Sequence, residues 1–76
     1  MGTDLRNIPS RLGAAIRELR LEAAMSQMKL AEKADLTLNY VGEVERGEKL
    51  ASVDTVIRLG RALGISGSEL LKRAGY

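Results

Sequence analysis

The stretch SQMKLAEKADLTLNYVGEVERG, residues 26–47, constrains the chain more than any other feature. It holds two apolar patterns of helical spacing, Leu30, Ala31 and Ala34 in the first and Val41 and Val44 in the second. Asp35, Leu36 and a capping Thr37 separate them. Isolated helices shorter than about a dozen residues are marginal in water, so neither rod stands alone and both must share one core. Two helices joined by so short a turn cannot lie antiparallel. A near-perpendicular crossing, the helix-turn-helix, is what such a link permits.

The rest of the chain supplies the partners. Residues 1–9 read as a flexible arm closed by Pro9, and Ser10 as the N-cap of a first helix over about 10–24 carrying Leu12, Ile16, Leu19 and Ala23 inward. Ser26 caps a helix over 26–34, and Asp35 follows it at a position where a left-handed conformation is common. Thr37 caps a third helix over 37–46 that Gly47 stops. Ser52 opens a fourth over 52–63, marked by Val53, Val56, Ile57, Leu59 and Leu63 and ended by Gly64. Ser66 opens a fifth over 66–73 with Leu70 and Leu71. No stretch alternates with period two for long enough to make a strand. The expected fold is all-α, five short helices in one domain over 10–76.

Composition removes most chemistry. Apolar residues make up 45% but aromatics only 3%, so the core must be aliphatic. Neither cysteine nor histidine occurs, which excludes disulfides, the usual zinc sites and histidine- or cysteine-based catalysis. No phosphate-cradling glycine loop and no pair of inward carboxylates emerges, so no enzyme, metal, cofactor or small-molecule substrate is expected. Without a membrane-length apolar run or an apolar leader, the expected compartment is the cytoplasm.

Taken together, LGAAIRELRLEAAMSQMKLAEKADLTLNYVGEVERG and SVDTVIRLGRALGISGSELL resemble the XRE/Cro-type helix-turn-helix domains of lambdoid phage repressors. The resemblance covers about Leu12 to Leu71 and rests on Ser26-Gln27, Leu30-Ala31, Glu45-Arg46-Gly47 and Ala62-Leu63-Gly64 at the family's spacings. The run NYVGEVERG is also similar to the controller proteins of restriction–modification systems. Two positions depart from the pattern. Asp35 stands where glycine is usual in the turn, and Leu38 where repressors often carry a polar base-reader and controllers often carry arginine.

The resemblance implies a lambda-repressor-like fold whose third helix enters the DNA major groove, which is about 12 Å wide and admits one helix. Thr37, Leu38, Asn39 and Glu43 then become candidate base-readers. Asparagine pairs with adenine, glutamate accepts from cytosine N4, and Leu38 or the Thr37 methyl packs on a thymine methyl. The alternative is that Leu38 fills a gap beneath the fourth helix while Asn39 and Glu43 are merely solvated. Gln27, Tyr40, Arg46 and Lys49 are candidate phosphate contacts, with Arg6, Arg11 and Arg17 behind them. Tyr40 has a second possible role, packing on its own scaffold. The family pattern further implies a structural ion pair between Arg20 and Glu45. Gly42, mid-helix, admits close approach either to DNA or to a neighbouring helix.

Charge argues against a simple monomeric binder. The chain holds 12 basic and 10 acidic residues, and the third helix has no positive surplus. Phosphate contacts dominate affinity, so a homodimer that doubles them and reads a palindromic operator is the natural remedy. By resemblance Ile65, Leu70 and Leu71 form its interface. The expectation is a sequence-specific transcriptional regulator of double-stranded DNA. The alternative is an antitoxin or other protein-interaction module of the same fold.

Overall fold

Residues 7–76 are described by a computed structural model. Five helices follow in order: α1 (Ile8–Glu22), α2 (Gln27–Ala34), α3 (Leu38–Glu45), α4 (Val53–Ala62) and α5 (Gly67–Arg73). No strand occurs among the described residues. No described helix is long and apolar enough to cross a membrane. Of the expected arm over 1–9, residues 1–6, with Arg6, lie outside the described residues.

Helix starts are written in hydroxyls. Ser26 Oγ accepts from the Lys29 N–H at 3.0 Å, Thr37 Oγ1 from Tyr40 at 3.1 Å, Ser52 Oγ from Thr55 at 3.1 Å and Ser66 Oγ from Glu69 at 3.0 Å. Each satisfies a backbone donor that the first turn leaves unpaired. The first helix is the exception. It begins at Ile8, with Asn7 in the cap position, Pro9 in the first turn and Ser10 inside the helix. Proline is tolerated there because its missing N–H has no intrahelical partner to lose. The expected cap at Ser10 is therefore corrected: Ile8 and Pro9 belong to the helix and Asn7 is its cap, rather than all three to an arm.

Helix ends share one device. Left-handed residues stand at Ala24, Asp35, Gly47, Gly64 and Gly75. Beyond each, the next N–H reaches back five residues: Met25 to Arg20, Leu36 to Ala31, Glu48 to Glu43, Ile65 to Gly60 and Tyr76 to Leu71, all at 2.8–3.0 Å. This is the Schellman closure, and it is cheapest with glycine. At Ala24 the first helix thus stops two residues earlier than the sequence suggests.

The core is aliphatic. Leu12, Ile16, Leu30, Leu59, Leu70, Val41 and Val44 are almost fully buried. Each such side chain contributes roughly 1.5–3 kcal/mol of hydrophobic burial. α2 packs on both α3 and α4, α1 on α3 and α5, and α4 on α5. The crossing of α1 with α3 is close enough to require Gly13. A Cβ there would stand 2.7 Å from the Glu45 carbonyl oxygen and closer still to that of Val44.

Candidate nucleic-acid interface

The turn between α2 and α3 consists of Asp35, Leu36 and Thr37. Asp35 supplies the reversal at φ +58°, and Leu36 packs against the core while Thr37 caps α3. Val41 and Val44 anchor the inner face of α3. Its outer face presents Leu38 at 45% exposure, an exposed Asn39 and a half-buried Glu43. Leu38 therefore does not fill a gap beneath α4. Thr37 is also exposed; its hydroxyl oxygen accepts from the Tyr40 N–H, which leaves its O–H and its methyl group for an outside contact.

Behind this face lies a buried charge network. Arg20 Nε donates to Glu45 Oε2 at 2.6 Å and Nη2 donates to Oε1 at 3.1 Å, a two-pronged pair. Arg20 Nη1 also donates to the Met25 carbonyl at 2.9 Å, tying down the corner after α1. Gln27 Nε2 donates to Glu45 Oε1 at 3.0 Å. The amide expected to meet phosphate thus also braces α2 against the end of α3, with its second N–H left over. No buried side-chain N or O among the described residues lacks a partner.

The cations at the rim are engaged. Arg46 Nε donates to Glu48 Oε2 at 2.7 Å, and Lys49 Nζ lies 4.0 Å from Glu43 Oε1. The hydrogen bond from Arg46 holds the Glu48 carboxyl below the usual carboxylate range, and the same bond raises the Arg46 guanidinium. Tyr40 is half-buried against the core, its hydroxyl 3.5 Å from Thr55 Oγ1. That separation exceeds the ordinary O–H···O range, so the hydroxyl is not firmly committed. Arg11 stacks over the Tyr76 ring at 5.0 Å. Arg17 is exposed. At Gly42 a Cβ would stand 3.0 Å from Arg46 Nη1, the movable tip of the side chain at its own helix end.

The apolar surface differs from expectation. Leu70 is fully buried in the chain's own core and offers no interface; Ile65 is partly buried against that core, and Leu71 stays 37% exposed. Val53 and Ile57, expected inward, are 77% and 42% exposed. They line a groove of about 530 Å³ with Leu50 and Leu71. The missed signal was that Val53 and Ile57, four apart, form a stripe of their own beside Val56 and Leu59. Glu48, two residues after Arg46, joins the site through its contact with that guanidinium, which its place in the chain alone does not mark.

Known proteins match this arrangement. The control protein C.BamHI of Bacillus amyloliquefaciens is 38% identical over 66 residues, covering 86% of this chain and 82% of that protein. The chain spans only 45% and 42% of the length of some longer curated relatives. Among solved structures, the clp gene regulator ClgR of Corynebacterium glutamicum superposes with a TM-score of 0.85 at 32% identity, over 90% of this chain and 72% of that one. The restriction-modification controller protein C.AhdI of Aeromonas hydrophila superposes with a TM-score of 0.79 at 39% identity, over 82% of this chain and 94% of that one. Residues 16–70 match the family described as Helix-turn-helix (HTH_3), and with α2 and α3 crossed over their shared core the chain belongs to it.

Proposed function

We propose that the chain binds a palindromic operator as a homodimer, each copy laying the leading end of α3 in the major groove. As a helix-turn-helix protein akin to control, repressor and regulator proteins, it is a DNA-binding transcription regulator. The observation that carries the finer reading is the outward row of Leu38, Asn39 and Glu43 on a helix whose inner face is locked in the core. Asn39 pairs with adenine, Glu43 accepts from cytosine N4, and Leu38 with the Thr37 methyl meets a thymine methyl. Gln27, Tyr40, Arg46 and Lys49 flank this row as phosphate contacts.

A second copy fits the apolar groove of Leu50, Val53, Ile57 and Leu71. Two features support it: the exposure of those side chains and the engagement of the rim cations Arg46 and Lys49 by Glu48 and Glu43. Two copies read half-sites about 34 Å apart. Regulation then follows protein concentration and cooperative occupancy.

Selection of duplexes from a random pool tests this, followed by Asn39→Ala and Glu43→Ala. Each variant should relax preference at one position per half-site, at a cost of ~1–3 kcal/mol. A pool that yields no palindrome would instead favour a protein partner, as for an antitoxin.

A further inference from the structure

Arg46 stands at the C-terminal end of α3, and its guanidinium is already occupied. Besides the bond from Nε, its Nη2 donates to Glu48 Oε1 at 3.2 Å, so the fork grips both carboxylate oxygens. A guanidinium takes a phosphate in the same two-pronged way. Backbone geometry holds the pair together. Gly47 turns at φ +75°, and the Glu48 N–H bonds the Glu43 carbonyl at 2.9 Å, which returns Glu48 toward the end of α3. Gly42 leaves space for the guanidinium to lie back along the helix. Both side chains remain about half exposed, at 56% and 53%, so an incoming anion can reach them.

We propose that Glu48 is an internal stand-in for phosphate, occupying Arg46 until the DNA backbone displaces it and so holding back affinity for duplexes of every sequence. It rests on the reading of α3 as the groove-entering helix. The exchange is one anion for another: phosphate takes the guanidinium, and the freed carboxylate, now beside the DNA backbone, gathers a cation from solution. Arg46 therefore adds little to the net release of counterions in the native protein. Because the penalty applies to any phosphate, it lowers non-specific binding at low protein concentration and leaves discrimination to Leu38, Asn39 and Glu43.

The test compares the full chain with Glu48→Gln, Arg46→Ala and the double variant by fluorescence anisotropy. Each is titrated on the selected operator duplex and on a scrambled duplex, between about 50 and 200 mM salt. Glu48→Gln should tighten both duplexes about 1.5- to fivefold, the scale set by an exposed ion pair. Its log–log salt slope should steepen by about 1 as Arg46 regains its full counterion release. In the Arg46→Ala background the same substitution should gain clearly less, since only the repulsion between the carboxylate and the DNA backbone is then relieved. Parental affinity and slope in Glu48→Gln would overturn the proposal, as would an equal gain without Arg46, which would mark a bulk charge effect. A parent that binds no duplex at any salt sinks the groove reading and this proposal with it, whereas a parent that binds beside an inert Glu48→Gln sinks only the latter.

Discussion

Arg20→Ala is the perturbation with the largest consequence. Arg20 makes two bonds to Glu45 and one to the Met25 carbonyl, and the Glu45 side chain is only 2% exposed. Alanine leaves a buried carboxylate with Gln27 as its remaining partner and strands a carbonyl at the corner after α1. Removing one member of a buried pair costs ~3–5 kcal/mol. A domain of this size holds on the order of 4–11 kcal/mol in total. About half the stability should therefore go, lowering the melting temperature by at least ~12 °C for a domain of this length. Circular dichroism melts read this directly, and operator binding is then measured well below the variant's midpoint. Arg20→Lys keeps the charge but not the fork, so it should fall between the two. Replacing both Arg20 and Glu45 by methionine should recover much of the loss, since no charge is then stranded. An Arg20→Ala protein that melts with the parent, or that stays fully folded yet fails to bind, would show that the pair is not scaffold.

Other perturbations address separate parts of the molecule. Val53→Asp puts a charge on a side chain that is 77% exposed in the single chain, so monomer stability should change by less than ~0.5 kcal/mol. It should nonetheless convert a sedimenting dimer to monomer, and an unchanged dimer would move the interface off α4. Ala24→Gly relieves an alanine at φ +57°, where the left-handed region costs a side chain ~1–2 kcal/mol, and should raise the melting temperature by a few degrees. Asp35→Gly should gain less, because aspartate tolerates that region and Asp35 also lies 3.6 Å from Arg58. Gly13→Ala should cost ~1–3 kcal/mol or more, since its Cβ meets backbone rather than a movable side chain; a neutral urea midpoint would contradict the close crossing of α1 and α3.

What could be read from the residues was what is local. Ser26, Thr37, Ser52 and Ser66 bond an N–H three positions on, and Gly47 and Gly64 turn their own backbone. Such contacts need no partner helix, so the punctuation of α2 to α5 lay open in the chain. α1 starts two residues earlier than expected because proline is read as a barrier, although the first turn accepts it. Periodicity likewise marked Val41 and Val44 as inward on α3, whereas the outward place of Leu38 was implied by the family resemblance with a buried alternative open, and its 45% exposure decides it.

Side chains brought together over long separations were decided by tertiary structure. Gln27 meets Glu45 across 18 positions, so its role as a brace depends on how α2 crosses α3. On α4 both Val56–Leu59 and Val53–Ile57 are apolar stripes at helical spacing, and the neighbours α2 and α5 cover the first while the second stays exposed. The same choice buries Leu70 and leaves Leu71 outside. By itself the amino-acid order determined five short helices, the hydroxyl caps of α2 to α5 and the inward face of α3, because these follow from backbone torsion and contacts within a turn or so. Only the packed fold decided which apolar stripe is covered and which charges hold one another, because burial and ion pairing depend on distances that the spacing of residues along a chain does not specify.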